Sequence, residues 1–173
     1  MAHVPVIVIT GPSGTGKTVT GWEIREILRE RKVAHALIDM DNIRWCYVPD
    51  SRDRFNRTLG AKNLAAVWAN FREAGADRLV LSGIVESHED IRLIEQAVPG
   101  ADITVYRLHV DEATLEGRMR QRERGRGLDR NLARAKELTD IMARNGIGDH
   151  LIDADRELDE IAQEIIGLSG WLS

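Results

Sequence analysis

The chain has 173 residues, 43% hydrophobic and 30% charged, with 24 Lys and Arg against 28 Asp and Glu for a net charge of −4. That size supports one domain with a sizeable core, and with this acidic balance nothing global points to nucleic acid as an obligatory partner. Apolar runs are of strand length, no charged-then-apolar leader precedes residue 11, and the single cysteine, Cys46, cannot form an internal disulfide, so no membrane span and a cytoplasmic setting are expected.

Strand and helix patterns alternate along the whole chain. Val4 to Thr10 reads as a strand, and a helix follows from about Gly16 to Arg31, with Val19, Trp22, Ile24, Ile27 and Leu28 on one face. Val33 to Ile38 reads as the second strand, ending in Asp39-Met40-Asp41. A long helix is expected from about Asn56 to Ala74, stopped by Gly75. The third strand is Arg78 to Leu81, a helix follows over about Glu89 to Ala97, and the fourth strand is Ile103 to Val110. A helix from about Asp111 is broken at Gly125-x-Gly127, and another spans about Asp129 to Arg144. A short strand, His150 to Ile152, and a helix from about Arg156 to Ile166 close the series. The pattern predicts an α/β fold: a five-stranded parallel sheet with helices on both faces, in a single domain over 1–173, with an arginine-rich helical lid at about 111–130.

Between the first strand and its helix stand Gly11, Pro12, Ser13, Gly14, Thr15, Gly16, Lys17 and Thr18, which match G-x-x-x-x-G-K-[ST]. The glycines permit a backbone that turns successive N–H groups inward at a helix N-terminus, where the dipole also favours phosphate. The motif predicts that Lys17 reaches the β- and γ-phosphates of a nucleotide and that the Thr18 hydroxyl ligates Mg²⁺.

Asp39 and Asp41 end the strand after that helix, at the edge of a parallel sheet where ligands bind. A carboxylate there can take the proton of an attacking hydroxyl or hold the Mg²⁺ water shell; capping of the next helix explains Asp41 as well. Six arginines, Arg118, Arg120, Arg122, Arg124, Arg126 and Arg130, fall within thirteen residues. Arg118 and Arg122 share a helix face, suited to closing over a transferring phosphoryl group; a solvated basic helix is the alternative, and Arg120 points off that face. Trp45 and Tyr47 could stack on a ring while Arg44, Arg52, Arg54 and Arg57 bind an anionic group, and Glu86 faces the same crevice. A surface loop with aromatics folded under it explains the same residues equally well.

The chain lacks the D-x-x-G and N-K-x-D signatures of a switch GTPase. Leu81-Ser82-Gly83 provides no acid after the third strand, which counts against a motor or AAA-type ATPase.

Residues 11–18 together with Asp39-Met40-Asp41-Asn42-Ile43-Arg44 resemble the small P-loop kinases related to adenylylsulfate kinase, whose second segment reads Asp-Gly-Asp-Asn-hydrophobic-Arg. The wider group includes chloramphenicol phosphotransferase, gluconate kinase and the zeta-toxin kinases, with a nucleoside-monophosphate-kinase-like fold. The resemblance implies ATP as donor, Mg²⁺ as cofactor and transfer of the γ-phosphoryl group to a hydroxyl of a small molecule. Carried onto this chain, it implies that Lys17 and Thr18 bind ATP·Mg²⁺, that Asp39 and Asp41 serve the metal and the acceptor hydroxyl, and that Arg44 touches the acceptor. Together with the readings above, ATP is expected at residues 11–18 and Arg118, metal at Thr18 and Asp41, catalysis at Lys17, Asp39, Asp41, Arg118 and Arg122, and the acceptor at Arg44, Trp45, Arg54 and Glu86. Met40 in place of glycine and the arginine-dense stretch after the fourth strand depart from adenylylsulfate kinases. A nucleotide-binding regulatory protein and a zeta-toxin or RNA-end kinase are the alternatives, nucleic acid is otherwise not expected as a partner, and a homodimer is compatible with the sequence.

Overall fold

A computed structural model describes residues 3–49, 51–122 and 127–172, apart from the side chains of Arg54 and Arg122. In chain order its elements are β1 (Val4–Thr10), α1 (Lys17–Glu30), β2 (Ala36–Asp39), α2 (Met40–Ile43), a 3-10 turn (Arg54–Asn56), α3 (Arg57–Glu73), β3 (Leu79–Ser82) and α4 (His88–Ala97). They continue with β4 (Ala101–His109), α5 (Glu112–Arg122), α6 (Leu128–Arg144), β5 (His150–Asp153) and α7 (Leu158–Ser169). The sheet is wholly parallel in the order β2-β3-β1-β4-β5, with Val8 level with Leu81 on one side and Val105 on the other.

Two-residue periodicity divides β1 between two cores. Val4, Val6 and Val8 pack with Leu64 and Trp68 of α3, Ile94 of α4 and Leu138 and Met142 of α6. Ile7 and Ile9 point the other way, onto Ile24 and Leu28 of α1 and Ile161, Ile165 and Ile166 of α7. A third, small cluster joins Leu115 and Met119 of α5 to Ala135 of α6. The predicted sheet, its parallel sense and its two helical layers are therefore present.

Element ends differ where caps outweigh propensity. β2 begins at Ala36 rather than Val33 because α1 ends in a turn that takes up those residues. The Val33 N–H returns to the Leu28 carbonyl at 3.0 Å, and Lys32 adopts φ 55°. α7 runs on to Ser169 and stops at Gly170, in the left-handed region at φ 69°.

Candidate active site

Between β1 and α1 the chain folds into a cradle that only glycine can build at its first position. Gly11 has φ 144°, and a Cβ there would stand 2.7 Å from the Leu108 carbonyl oxygen and 2.8 Å from Thr15 Oγ1. Gly16, at φ 98°, precedes α1 and has no side chain to occupy its first N–H groups, which leaves the helix N-terminus open to an anion. Lys17 is only 7% exposed, and its ammonium donates to the Pro12 carbonyl at 3.0 Å, as does the Thr15 hydroxyl at 2.9 Å. The lysine thus lies folded across the loop that it would serve.

One residue further, the Thr18 hydroxyl donates to Asp39 Oδ2 at 2.8 Å. The other carboxylate oxygen of Asp39 accepts the Asp41 N–H at 2.9 Å, capping α2, so one side chain serves as both cap and partner of the P-loop threonine. Asp41 turns away from Thr18 and pairs with Arg44. Of the two acids that the sequence offers, Asp39 is the one bonded to the threonine. Among the described residues no group of three or more acidic, histidine or cysteine side chains could hold a metal alone. A hydroxyl and one carboxylate suit Mg²⁺ only with oxygens added by a bound phosphate, which is the usual way that ion is held. The donor set fits the ion on those terms.

Beside the cradle lies a cavity of about 550 Å³. Ser13 of the P-loop lines its edge, with Asp41, Arg44, Trp45 and Tyr47 on one side and Ile84, Glu86, Arg134 and Leu138 on the other. Trp45 and Tyr47 are 86% and 88% exposed, so their rings stand in the opening and are not folded beneath the loop. Asn56 holds the loop that carries them, donating to the carbonyls of Arg44 at 2.9 Å and Cys46 at 2.7 Å from a left-handed backbone shared with Phe55. Asp53 accepts the N–H groups of Thr58 at 3.1 Å and Leu59 at 3.0 Å. Burial opposes its charge, but those bonds outweigh it and hold its pKa below the ordinary carboxylate value.

Glu86 is the hub of the cavity floor. Its carboxylate pairs with Arg57 of α3 and, at 2.7 Å, with Arg134 of α6, while its carbonyl accepts from Asn145 at 2.8 Å. Both guanidinium groups also face the Phe55 ring, at 6.0 and 5.3 Å from its centre. Burial disfavours the Arg134 charge, yet the bond to Glu137 and the charge of Glu86 raise its pKa above the usual arginine value. Beneath Glu86, Asp90 Oδ2 accepts the N–H groups of Glu86 at 3.0 Å and Ser87 at 2.9 Å and the Ser87 hydroxyl at 2.9 Å, closing a capping box at the start of α4.

α5 sits on the cradle: a Cβ at Gly14 would come within 3.0 Å of both Leu115 Cδ1 and Met119 Cγ. Arg118 faces the turn after β5, donating to the Ala154 carbonyl at 2.9 Å with Asp155 at 3.8 Å, and Arg120 is spent on Glu116 at 2.9 Å. The backbone of Arg122 belongs to α5; Arg124 and Arg126 lie outside the described residues, as does the Arg54 side chain.

The structure thus gathers residues 11–18 with Asp39 at one end, and Asp41, Arg44, Trp45 and Glu86 around the adjoining cavity. It adds Arg134, Asp90 and Phe55. Ser87-x-x-Asp90 is a capping-box spacing and could have drawn attention to Asp90; nothing local marks Arg134, which meets Glu86 across 48 positions of sequence.

The family of proteins described as AAA domain matches residues 7–142 of the 173. The chain belongs to that family. The acid that a motor-type ATPase would carry after the third strand is missing from this AAA domain, where Leu81-Ser82-Gly83 stands. A Cβ at Gly83 would lie 2.7 Å from Met40 Cβ, so a side chain of any kind is kept out of that position. Solved structures share the fold over nearly its full length. A gluconokinase from Sinorhizobium meliloti 1021 is 20% identical, with 99% of this chain and 95% of that one covered at a TM-score of 0.63. The APS kinase CysC of Mycobacterium tuberculosis, in complex with AMPPNP and APS, is 24% identical over 97% and 98% of the two chains, with a TM-score of 0.64. The tunicamycin resistance protein of Deinococcus radiodurans is 19% identical over 97% and 96%, with a TM-score of 0.69. No curated protein matches the sequence. The fold is that of the small P-loop kinases, and no described helix is long and apolar enough to cross a membrane.

Proposed function

We propose that this AAA domain is an ATP-dependent phosphotransferase that moves the γ-phosphoryl group of ATP to a hydroxyl of a small molecule. The observation that carries the reading is the shared wall between its two halves: Ser13 of the phosphate cradle also lines the 550 Å³ cavity. Hydrolysis of a nucleotide needs room only for water, whereas a cavity of this volume beside the cradle is of the size that takes a whole small molecule.

In this reading the N–H groups at the start of α1 and Lys17 hold the β- and γ-phosphates, the lysine leaving the Pro12 carbonyl to do so. Thr18 and Asp39 supply the oxygens for Mg²⁺. When bound, the ion neutralises charge on the phosphates. Asp41 lines the cavity and so faces the acceptor; its carboxylate takes the proton from the hydroxyl as the oxygen attacks, with Arg44 fixing its orientation. Arg118, held against the turn at Ala154, closes the nucleotide side, and Arg122 lies one helical turn beyond it toward the end of α5.

The deciding experiment is a coupled ADP-release assay over a panel of nucleosides, sugar acids, adenylylsulfate and phenicol- and aminoglycoside-type alcohols. Acceptor-dependent release is expected. Slow release that no acceptor changes would instead mark a nucleotide-binding regulatory protein.

A further inference from the structure

Among the described residues, the cavity contains cations but offers no unpaired one to a ligand. Among the described residues that line it, three are cationic, and each already faces carboxylates of the chain. Arg44 is paired with Asp41, Arg57 with Glu86 and, at 3.3 Å, with Asp90, and Arg134 with Glu86 and, at 2.8 Å, with Glu137. Three guanidinium groups meet four carboxylates.

Glu86 occupies the place between Arg57 and Arg134 where an incoming anion would have to sit. It does not yield easily: its side chain is 13% exposed, its N–H is held by Asp90 and its carbonyl by Asn145. An anionic ligand would have to displace that carboxylate and leave it partly buried without a counter-ion, a larger loss than a new ion pair returns. Ser13, Cys46 and Asn56 apart, the remaining wall is apolar, made by the rings of Trp45, Tyr47 and Phe55 and by Ile84 and Leu138. Such surfaces take rings and hydrocarbon faces.

On the kinase reading above, we infer that the acceptor is an uncharged alcohol with a ring or extended apolar face, and that Glu86 is the residue that excludes anionic acceptors.

The test uses the whole chain saturated with ADP and Mg²⁺, so that the phosphate cradle is filled. Inorganic sulfate is titrated by calorimetry into the wild-type protein and into Glu86→Gln. No saturable heat is expected from the wild type, and at least about tenfold tighter sulfate binding is expected from the variant, whose two guanidinium groups are released. Saturable sulfate binding by the wild type would overturn the inference, as would a folded Glu86→Gln that gains none. A second arm does not depend on the variant: ADP release is compared for matched pairs of ring alcohols carrying either a methyl ester or the free carboxylate. Faster turnover of the ester in each pair is expected; equal or faster turnover of the acid overturns the proposal. Failure of ADP and Mg²⁺ to bind sinks the kinase reading itself, and is seen before either arm begins.

Discussion

Thr18 and Asp39 join the first two βα units through a hydroxyl-to-carboxylate hydrogen bond of 2.8 Å, with the second oxygen of Asp39 bound to the Asp41 N–H. Asparagine caps a helix about as well as aspartate, so Asp39→Asn keeps the α2 cap and removes the charge, whereas Asp39→Ala removes both. The Asn variant is expected to lose turnover by roughly 100-fold or more and to need more Mg²⁺ for half-maximal rate, with its melting temperature nearly unchanged. The Ala variant is expected to lose about a further 1 kcal/mol of stability. Mg²⁺ titrations of rate alongside thermal melts separate the two effects; an unaltered Mg²⁺ requirement in Asp39→Asn would remove Asp39 from the metal side.

Lys17→Ala is expected to lower ADP release by at least about 100-fold while leaving far-UV circular dichroism intact. The fold tolerates the loss because Lys17, whose ammonium donates to the Pro12 carbonyl, is no part of the hydrophobic clusters that hold the sheet and helices together. Retained turnover would rule out the P-loop mechanism.

Gly11→Ala combines a backbone at φ 144° with a Cβ 2.7 Å from the Leu108 carbonyl oxygen. A loss of about 2 kcal/mol or more is expected in urea unfolding, with loss of nucleotide binding. A variant of unchanged midpoint would show that the cradle relaxes.

Asp90 is 9% exposed and bonds two backbone N–H groups, the Ser87 hydroxyl and Arg57. Asp90→Ala leaves those donors buried and is expected to cost roughly 2–4 kcal/mol. Because it also frees the backbone of Glu86, acceptor KM should change more than that for ATP. Steady-state kinetics at sub-denaturing temperature read this directly.

Tyr106 is fully buried and stacks on His150 at 5.1 Å, and its hydroxyl has no hydrogen-bond partner among the described residues. Burial, aided by the charge of Asp149, pushes its pKa from 10.0 up to about 12. The folded state thus holds the phenol proton more tightly than the unfolded one. That contribution is complete below pH 10 and falls by about 1.4 kcal/mol per pH unit as pH rises through the window between 10 and 12. Tyr106→Phe is expected to flatten this part of the stability profile, measured by denaturant midpoints across that range. An unchanged alkaline slope would assign it to other groups.

The sheet was legible because its central strands β1 and β3 are short apolar runs bounded by turn residues and strand patterns alternate with helical ones along the chain; β1 was found to the residue. The phosphate cradle was legible for a different reason: its chemistry is carried by contiguous backbone, so eight adjacent letters contain it. The cavity beside it is assembled from five separated stretches. Trp45 and Glu86 could be placed near it from the strand ends that precede them, but Arg134 lies in the middle of a helix whose apolar face gives no hint of a carboxylate partner. Asp39 and Asp41 illustrate the limit at short range. Two positions apart, they look interchangeable as letters, and only the turn into α2 sends one toward Thr18 and the other toward Arg44.

Gly14 bears on how this domain can vary among its relatives. Its own φ of 91° already favours glycine, and Leu115 and Met119 of α5 crowd the place where a Cβ would stand. A chain that carried a larger residue at 14 would need smaller ones at 115 or 119, so these three positions are expected to change together or not at all. The sequence of the helix above the phosphates is thereby tied to that of the loop beneath them, whatever molecule the neighbouring cavity has come to accept.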